Sequence, residues 1–173
     1  MTNPTPIALE DGGGDHLWFN RDLLTFKATS EQTNGAFILF EELSRRGKVT
    51  PLHVHPNEDE TFYLLDGEIV AHVDGTEHLG RPGGFISIPR GVPHAFLVTS
   101  ETARLLVLLT PGGQAAEAFF RDAGEPASEP VLPPAGPLEI ERIQTAAQRH
   151  GSVELLGPPP FETNPVAAQT APA

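Results

Sequence analysis

Two histidines and a glutamate stand close together ahead of an apolar stretch. His53 and His55 are separated by one residue, and Glu60 begins the run ETFYLL. Residues i and i+2 of a β-strand share a face, so both imidazoles can point the same way. A lone buried carboxylate is unfavourable, whereas a divalent cation can be bound by two imidazoles and a carboxylate. We interpret these residues as candidate metal ligands, against the alternative of solvated loop residues.

One more ligand is needed, and His94 is placed to supply it after the turn sequence PRGVP. The neighbouring Glu58 and Asp59 compete with Glu60 for the role of acidic ligand. Asp59 would face the opposite side of a strand through Glu60, and we interpret both residues as a solvated acidic edge. His72, in the middle of EIVAHV, is interpreted as an outward-facing polar residue.

The composition excludes several classes of function. The net charge is −12, with only 11 Lys plus Arg residues in 173. Phosphate binding needs a basic surface, so a nucleic-acid partner and an anionic membrane surface are disfavoured. The chain has no cysteine, which excludes disulfide and thiolate chemistry. We find no signal peptide and no apolar stretch of membrane-spanning length, and we expect a cytoplasmic protein.

The apolar residues come in short bursts that predict an all-β protein. They indicate eight or nine strands between Leu17 and Leu109, with no long helix among them. Two Asp-Gly pairs, at 66–67 and 74–75, are flanked by strand-forming residues and predict two successive type I′ hairpins. Regular short strands with turn signals are typical of a sandwich or a barrel.

The pattern divides the chain into four regions. We expect an irregular arm over residues 1–16, a barrel over 17–110, a helical and proline-rich extension over 111–160, and a mobile tail over 161–173. The extension contains two predicted helices, within QAAEAFFRDAG and LEIERIQTAAQRHG. Neither is expected to be stable alone, so both should pack on the barrel or on a second subunit.

With these residues in place, the sequence resembles the cupin family. The first cupin motif, G-x5-HxH-x3,4-E-x6-G, is matched by Gly47, His53, His55, Glu60 and Gly67. The second motif, G-x5-PxG-x2-H-x3-N, is matched by Gly83, Pro89, Gly91 and His94. Val98 stands where the second motif ends in Asn, a position that is not one of the family's metal ligands.

The resemblance implies a fold and a metal site. The fold is a cupin barrel, a jelly roll also called a double-stranded β-helix, here with short C-terminal helices. The implied ligands of one divalent transition metal ion, Fe, Mn, Ni or Co, are His53, His55, Glu60 and His94. Compact cupins commonly pair, so a homodimer is expected as well.

The sequence also resembles the small single-domain cupins described as quercetin 2,3-dioxygenase-like. This implies a dioxygenase that uses O2 on a small enol or flavonol-like substrate, with Glu60 as the catalytic acceptor of the hydroxyl proton. The candidate residues of an apolar substrate pocket are Phe37, Leu39, Phe62, Phe85, Phe96 and Leu106, and ordinary core packing is the alternative for each of them.

Two other functions are compatible with the same residues. The same metal and carboxylate could serve a non-oxidative isomerase or cyclase, although no second general base stands out in the sequence. The barrel could also be a non-catalytic module that binds a small molecule. A sensor of that kind usually carries a partner domain, and the sequence shows none.

Overall fold

The computed structural model describes residues 5–134, 136 and 138–161. Within these residues the strands form two antiparallel sheets, which confirms the all-β prediction. The seven-stranded sheet has the spatial order β11 (Glu125–Pro126), β1 (Asp15–Phe19), β2 (Asp22–Ala28), β3 (Ile38–Arg45), β10 (Thr102–Thr110), β5 (Asp59–Asp66), β8 (Phe85–Ile88). The five-stranded sheet has the order β12 (Glu154–Gly157), β4 (Leu52–Val54), β9 (His94–Val98), β6 (Ile69–Val73), β7 (Thr76–Gly80).

The strands are more numerous than the sequence pattern indicates. The described chain forms β1 to β10 between Asp15 and Thr110, against the eight or nine predicted. Strand β4 has only three residues, too few to show an alternating pattern. The first strand starts at Asp15, inside the predicted arm of residues 1–16. Of the predicted mobile tail, all but residue 161 lies outside the described residues.

One of the two predicted hairpins is present. Asp74 and Gly75 join β6 to β7, and Val73 pairs with Thr76 across the turn. The φ angles of Asp74 and Gly75 are 46° and 81°, as a type I′ turn requires.

The other Asp-Gly pair connects the two sheets, so the prediction of a second hairpin was wrong. Strand β5, which ends at Asp66, belongs to the seven-stranded sheet, whereas β6 belongs to the five-stranded sheet. Gly67 has a φ of +77°, and a Cβ atom there would overlap the carbonyl oxygen of Thr102. The turn therefore packs directly on β10, and the chain crosses over instead of folding back along β5.

The two sheets enclose an apolar interior. Alternate residues of β3 and β5 are buried, including Phe40 and Phe62, which are 1% and 2% exposed. The ring of Phe62 meets that of Phe96 on β9 edge to face, with the centroids 5.6 Å apart. This contact joins the inner faces of the two sheets.

Two helices follow the barrel, as predicted. Helix α1 spans Gln114–Ala123, and α2 spans Ile140–His150 and ends at Gly151 in the left-handed conformation, with a φ of 64°. Helix α1 contacts β1 and α2 contacts β12, so the pair lies between the edges of the two sheets. Neither helix of the described ranges is long and apolar enough to cross a membrane.

Helix α1 is held to the barrel by an aromatic cluster. Phe120 of α1 lies edge to face against Phe19, Phe26 and Phe40, with ring centroids 5.3, 6.4 and 5.0 Å away. Both predicted packing residues of this helix, Phe119 and Phe120, are buried. The apolar side of α1 is therefore covered by its own barrel.

Candidate metal centre and cavity

The candidate histidines come from two neighbouring strands and the loop after one of them. His53 on β4 and His94 on β9 are paired in register, and their ring centroids are 4.2 Å apart. His55 lies directly after β4, where its carbonyl oxygen accepts a hydrogen bond of 2.9 Å from the N–H of Gly91. Its ring centroid lies 5.4 Å from that of His53. This backbone link ties the loop after β4 to the turn that precedes β9.

Glu60 reaches the histidines from the opposite sheet. It lies on β5, and its Oε2 is 2.9 Å from Nε2 of His94, while its Oε1 is 3.7 Å from Nε2 of His55. Taking one ligand atom from each side chain, the atoms of His53, His55, Glu60 and His94 all lie within 4.8 Å of one another. The structure thus brings together the four residues that the motifs single out.

The backbone orients two of the imidazole rings. Nδ1 of His53 lies 2.9 Å from the carbonyl oxygen of Pro51, and Nδ1 of His94 lies 2.8 Å from that of Val92. A carbonyl oxygen accepts a hydrogen bond from a protonated Nδ1, which leaves the lone pair of His53 on Nε2. Nε2 of His94 donates to Oε2 of Glu60 and must lose that proton before it can bind a metal. Metal-binding histidines commonly use their second nitrogen in this way.

Burial and mutual interaction set the charges of the cluster. Burial, together with His94 and His55, lowers the pKa of His53 to about 3, and burial lowers the pKa of His55. Burial acts to raise the pKa of Glu60, but His55, His94 and His53 outweigh it and lower that pKa to about 2. Burial acts to lower the pKa of His94, but Glu60 outweighs it and raises that pKa.

These groups suit a bound divalent cation. Glu60 is held as a carboxylate and His53 and His55 as neutral imidazoles, which are the forms that ligate metals, and His94 would release its proton on binding. The set of three nitrogens and one oxygen contains no sulfur. All four side chains are at least half-buried, so solvent does not compensate the carboxylate. The residues present therefore fit a transition metal such as Fe, Mn, Co or Ni.

The cluster opens into a cavity between the sheets. The space between atoms is about 600 Å³, part of it open to solvent. Of the pocket residues predicted from sequence, Phe62 and Phe96 line it. The cavity is also lined by residues that sequence reasoning missed: Phe19, Asn20, Phe40, Glu42, Lys48, Thr50, Pro51, Phe119, Phe120, Ile143, Val153 and Leu155.

The other four predicted pocket residues lie outside this lining, which corrects the prediction. Leu39 on β3 and Leu106 on β10 alternate with buried neighbours and so point away from the interior. Phe37 precedes β3 and is only partly buried, and Phe85 on the edge strand β8 is 67% exposed. Buried residues alternate along β3 from Ile38, and this pattern would have predicted Phe40 and Glu42 as cavity residues instead. No local sequence pattern identifies Lys48 or the residues of the two helices as part of the cavity lining.

The acidic residues beside Glu60 differ from each other. Asp59 accepts hydrogen bonds from Nε and Nη2 of Arg90 at 3.0 and 3.1 Å, in an exposed ion pair. Glu58 is buried, so its interpretation as a solvated residue was wrong. The start of α1 packs over it, because a Cβ atom at Gly113 would lie only 3.4 Å from Glu58 Oε1. Burial raises the pKa of Glu58.

Comparison with known families agrees with this architecture. Residues 40–109 match the family model described as the cupin domain. A predicted oxalate decarboxylase from Thermotoga maritima aligns with a TM-score of 0.55 at 19% identity, covering 60% of this chain and 98% of that one. The barrel is a cupin domain. An RmlC-like cupin from Shewanella frigidimarina shares this fold, with a TM-score of 0.51 at 16% identity over 58% of this chain and 86% of that one.

A curated relative is more similar in sequence. Quercetin 2,3-dioxygenase of Bacillus subtilis strain 168 is 32% identical over 128 residues, which are 74% of this chain. The cupin chain described here spans only 37% of the length of that relative. The similarity covers more of the chain than the family model does.

Proposed function

We propose that this cupin is a metal-dependent dioxygenase that acts on a small enol or flavonol-like substrate. The observation that carries the proposal is the 32% identity to a quercetin 2,3-dioxygenase over 74% of the chain. The buried cluster of three histidines and Glu60, which opens into an aromatic cavity, supports it.

The metal centre of the proposal consists of His53, His55, Glu60 and His94. One divalent ion held there would act as a Lewis acid on a substrate oxygen. The rings of His53 and His94 are already oriented by the carbonyl oxygens of Pro51 and Val92. Such orientation reduces the reorganisation needed on binding.

Glu60 is the proposed acceptor of the substrate's hydroxyl proton. Its Oε2 is occupied by His94 at 2.9 Å, whereas its Oε1 is 3.7 Å from His55, beyond hydrogen-bonding distance. A carboxylate can ligate an ion through one oxygen, so in the metal-loaded protein the other oxygen of Glu60 would retain the capacity to accept a proton from an enol hydroxyl that enters the cavity. Ionisation of the enol makes its ring electron-rich and prepares it to react with O2.

The aromatic walls are proposed to bind the rest of the substrate. Phe40, Phe62 and Phe96 are all buried and line the cavity beside the cluster. Their rings offer contact to a planar apolar ligand and exclude water from the reacting atoms. The homodimer and the cytoplasmic location stay predictions.

The test is oxygen consumption by purified protein loaded separately with Fe, Mn, Co or Ni. We expect at least one form to consume O2 in equimolar amount with loss of a simple flavonol, and the His94→Ala variant to lack this activity. Conversion of the substrate without O2 uptake would favour an isomerase or cyclase. Binding without any conversion would favour a non-catalytic module.

A further inference from the structure

A second group of polar side chains is buried away from the metal ligands, and two of its members, Glu42 and Lys48, line the same cavity. Asp22, Glu42 and Lys48 are 0%, 8% and 7% exposed. Lys48 forms an ion pair with Asp22, and its Nζ lies 3.8 Å from Oε1 of Glu42. Oε1 of Glu42 also accepts a hydrogen bond of 3.2 Å from Ser44. Charged groups buried in this way are costly unless they are paired, and the Lys48–Glu42 contact is incomplete.

Strand register places Glu42 at a different depth from Glu60. Both β3 and β5 pair with β10, where Leu109 faces Glu60 and Leu105 faces Glu42. The two glutamates are therefore four positions apart along the strand direction, which corresponds to about 13 Å. The layer between them contains Phe40 and Phe62, both paired with Val107 of β10.

The opposite sheet shows the same separation. His53 pairs with His94 at one end of β9. At the other end, the N–H of Val98 donates a hydrogen bond of 2.9 Å to the carbonyl oxygen of Lys48. Lys48 and Glu42 thus lie together at the end of the cavity remote from the candidate metal centre, with an aromatic section between the two ends.

One oxygen atom placed beside Lys48 and Glu42 can contact both side chains. A separation of 3.8 Å is too long for a direct hydrogen bond, yet a single oxygen can lie within hydrogen-bonding distance of both groups. An ammonium group donates, and a carboxyl group accepts in either protonation state. A hydroxyl group, which accepts one hydrogen bond and donates another, complements this pair.

We propose that Lys48 and Glu42 bind a hydroxyl group at the end of the substrate remote from its enol, and so determine specificity. The inference rests on the proposed function, because it takes the enol to lie at Glu60. The substrate it describes is a planar aromatic enol with a second hydroxyl group on a remote ring.

The test is a binding measurement on metal-loaded protein with three flavonols. They are 3-hydroxyflavone and two derivatives of it, one with an added hydroxyl group at position 7 and one with an added hydroxyl group at position 4′. The two derivatives place the added hydroxyl group at opposite ends of the ligand, so the test does not depend on which end lies near Lys48. We expect the wild type to bind one derivative about tenfold more tightly than the parent, as a hydrogen bond to a charged group provides. Glu42→Met and Lys48→Met should remove this preference, because a thioether is a poor partner for the added hydroxyl group, so that each variant binds the derivative no more tightly than the parent.

A matched control separates recognition from a structural role. Lys27→Met removes a partly buried lysine that does not line the cavity and should keep the preference. A purely structural role for Lys48 and Glu42 would lower the affinity for all three flavonols by the same factor and would overturn the inference. If Lys48→Met does not fold, the similarly sized Glu42→Met decides the question.

The outcome also distinguishes this inference from the proposed function. Equal binding of all three flavonols by a wild type that consumes O2 would overturn the inference alone. A hydroxyl preference that depends on Glu42, in protein that consumes no O2 with any metal, would overturn the oxygenase proposal alone. Failure of the wild type to bind any of the three would overturn both.

Discussion

His94 and Glu60 connect the two sheets through a contact of 2.9 Å between Nε2 and Oε2. His94 belongs to the five-stranded sheet and Glu60 to the seven-stranded sheet. Both side chains are buried, at 1% and 6% exposure. The candidate metal centre therefore exists only when the two sheets are packed together, and metal binding should stabilise that packing.

His94→Ala should weaken metal binding strongly. His94 offers one of the four ligand atoms, so its loss should cost more than the roughly 10- to 100-fold that removal of an outer partner costs. Competition with a chromophoric chelator measures the affinity. His72→Ala is the matched control, because His72 lies on β6 next to the inward-facing Ala71 and outside the cluster. Equal metal affinities of the two variants would contradict the assignment of His94.

Glu60→Gln should abolish turnover even when metal occupancy is complete. The amide retains an oxygen donor but cannot accept the hydroxyl proton, and loss of a general base costs about 100- to 10,000-fold in rate. Turnover is compared after occupancy has been verified by elemental analysis. The control Glu58→Gln removes a nearby buried carboxylate outside the cluster and should leave the rate unchanged. Near-normal turnover of loaded Glu60→Gln would remove Glu60 from the proton transfer.

The candidate ligands were accessible from sequence because short-range rules position them. His53 and His55 are two residues apart, and the alternation of β5 places Glu60 on the face of Phe62. Contact with His94 depends on strand pairing across the fold, and the cupin motif spacing supplied that information. The family resemblance and the fold class are confirmed by the domain match and the structural neighbours.

The cavity lining could not be predicted in the same way. The run LLVLL in β10 is apolar on both faces, so the sequence does not reveal which leucines point inward. Leu39 next to Phe40 presents the same ambiguity on β3. The turn at Asp66 and Gly67 fixes the local direction of the backbone but not the sheet that the next strand joins. These features depend on packing between distant segments.

Phe120→Ala should destabilise the protein markedly. Its ring contacts Phe19, Phe26 and Phe40, and removal of a buried Phe side chain typically costs about 3–5 kcal/mol. Denaturant unfolding measures the free energy of unfolding. Phe85→Ala is the control, since Phe85 is 67% exposed and its loss should change stability by about 0.5 kcal/mol or less. Similar losses in both variants would contradict the packing of α1 on the barrel.

Glu42→Gln should change how stability depends on pH. Burial, with a contribution from Glu60, raises the pKa of Glu42 from 4.5 to about 8. The folded state therefore holds a proton that the unfolded state releases, so this stabilisation is complete below pH 4.5 and is lost as pH rises towards 8. The loss has a slope of at most about 1.4 kcal/mol per pH unit. The Gln variant should lack it, whereas parallel urea-unfolding profiles of variant and wild type across this range would refute the assignment.

The metal stoichiometry of untagged wild-type protein shows whether the four candidate ligands hold an ion. Elemental analysis after metal loading and mild dialysis, together with calorimetric titration, gives the number of ions per chain. The arrangement of His53, His55, Glu60 and His94 predicts one divalent transition metal ion per chain, with its binding lost in His94→Ala. Protein that retains no transition metal and takes up none on titration would show that these four residues are not a metal centre.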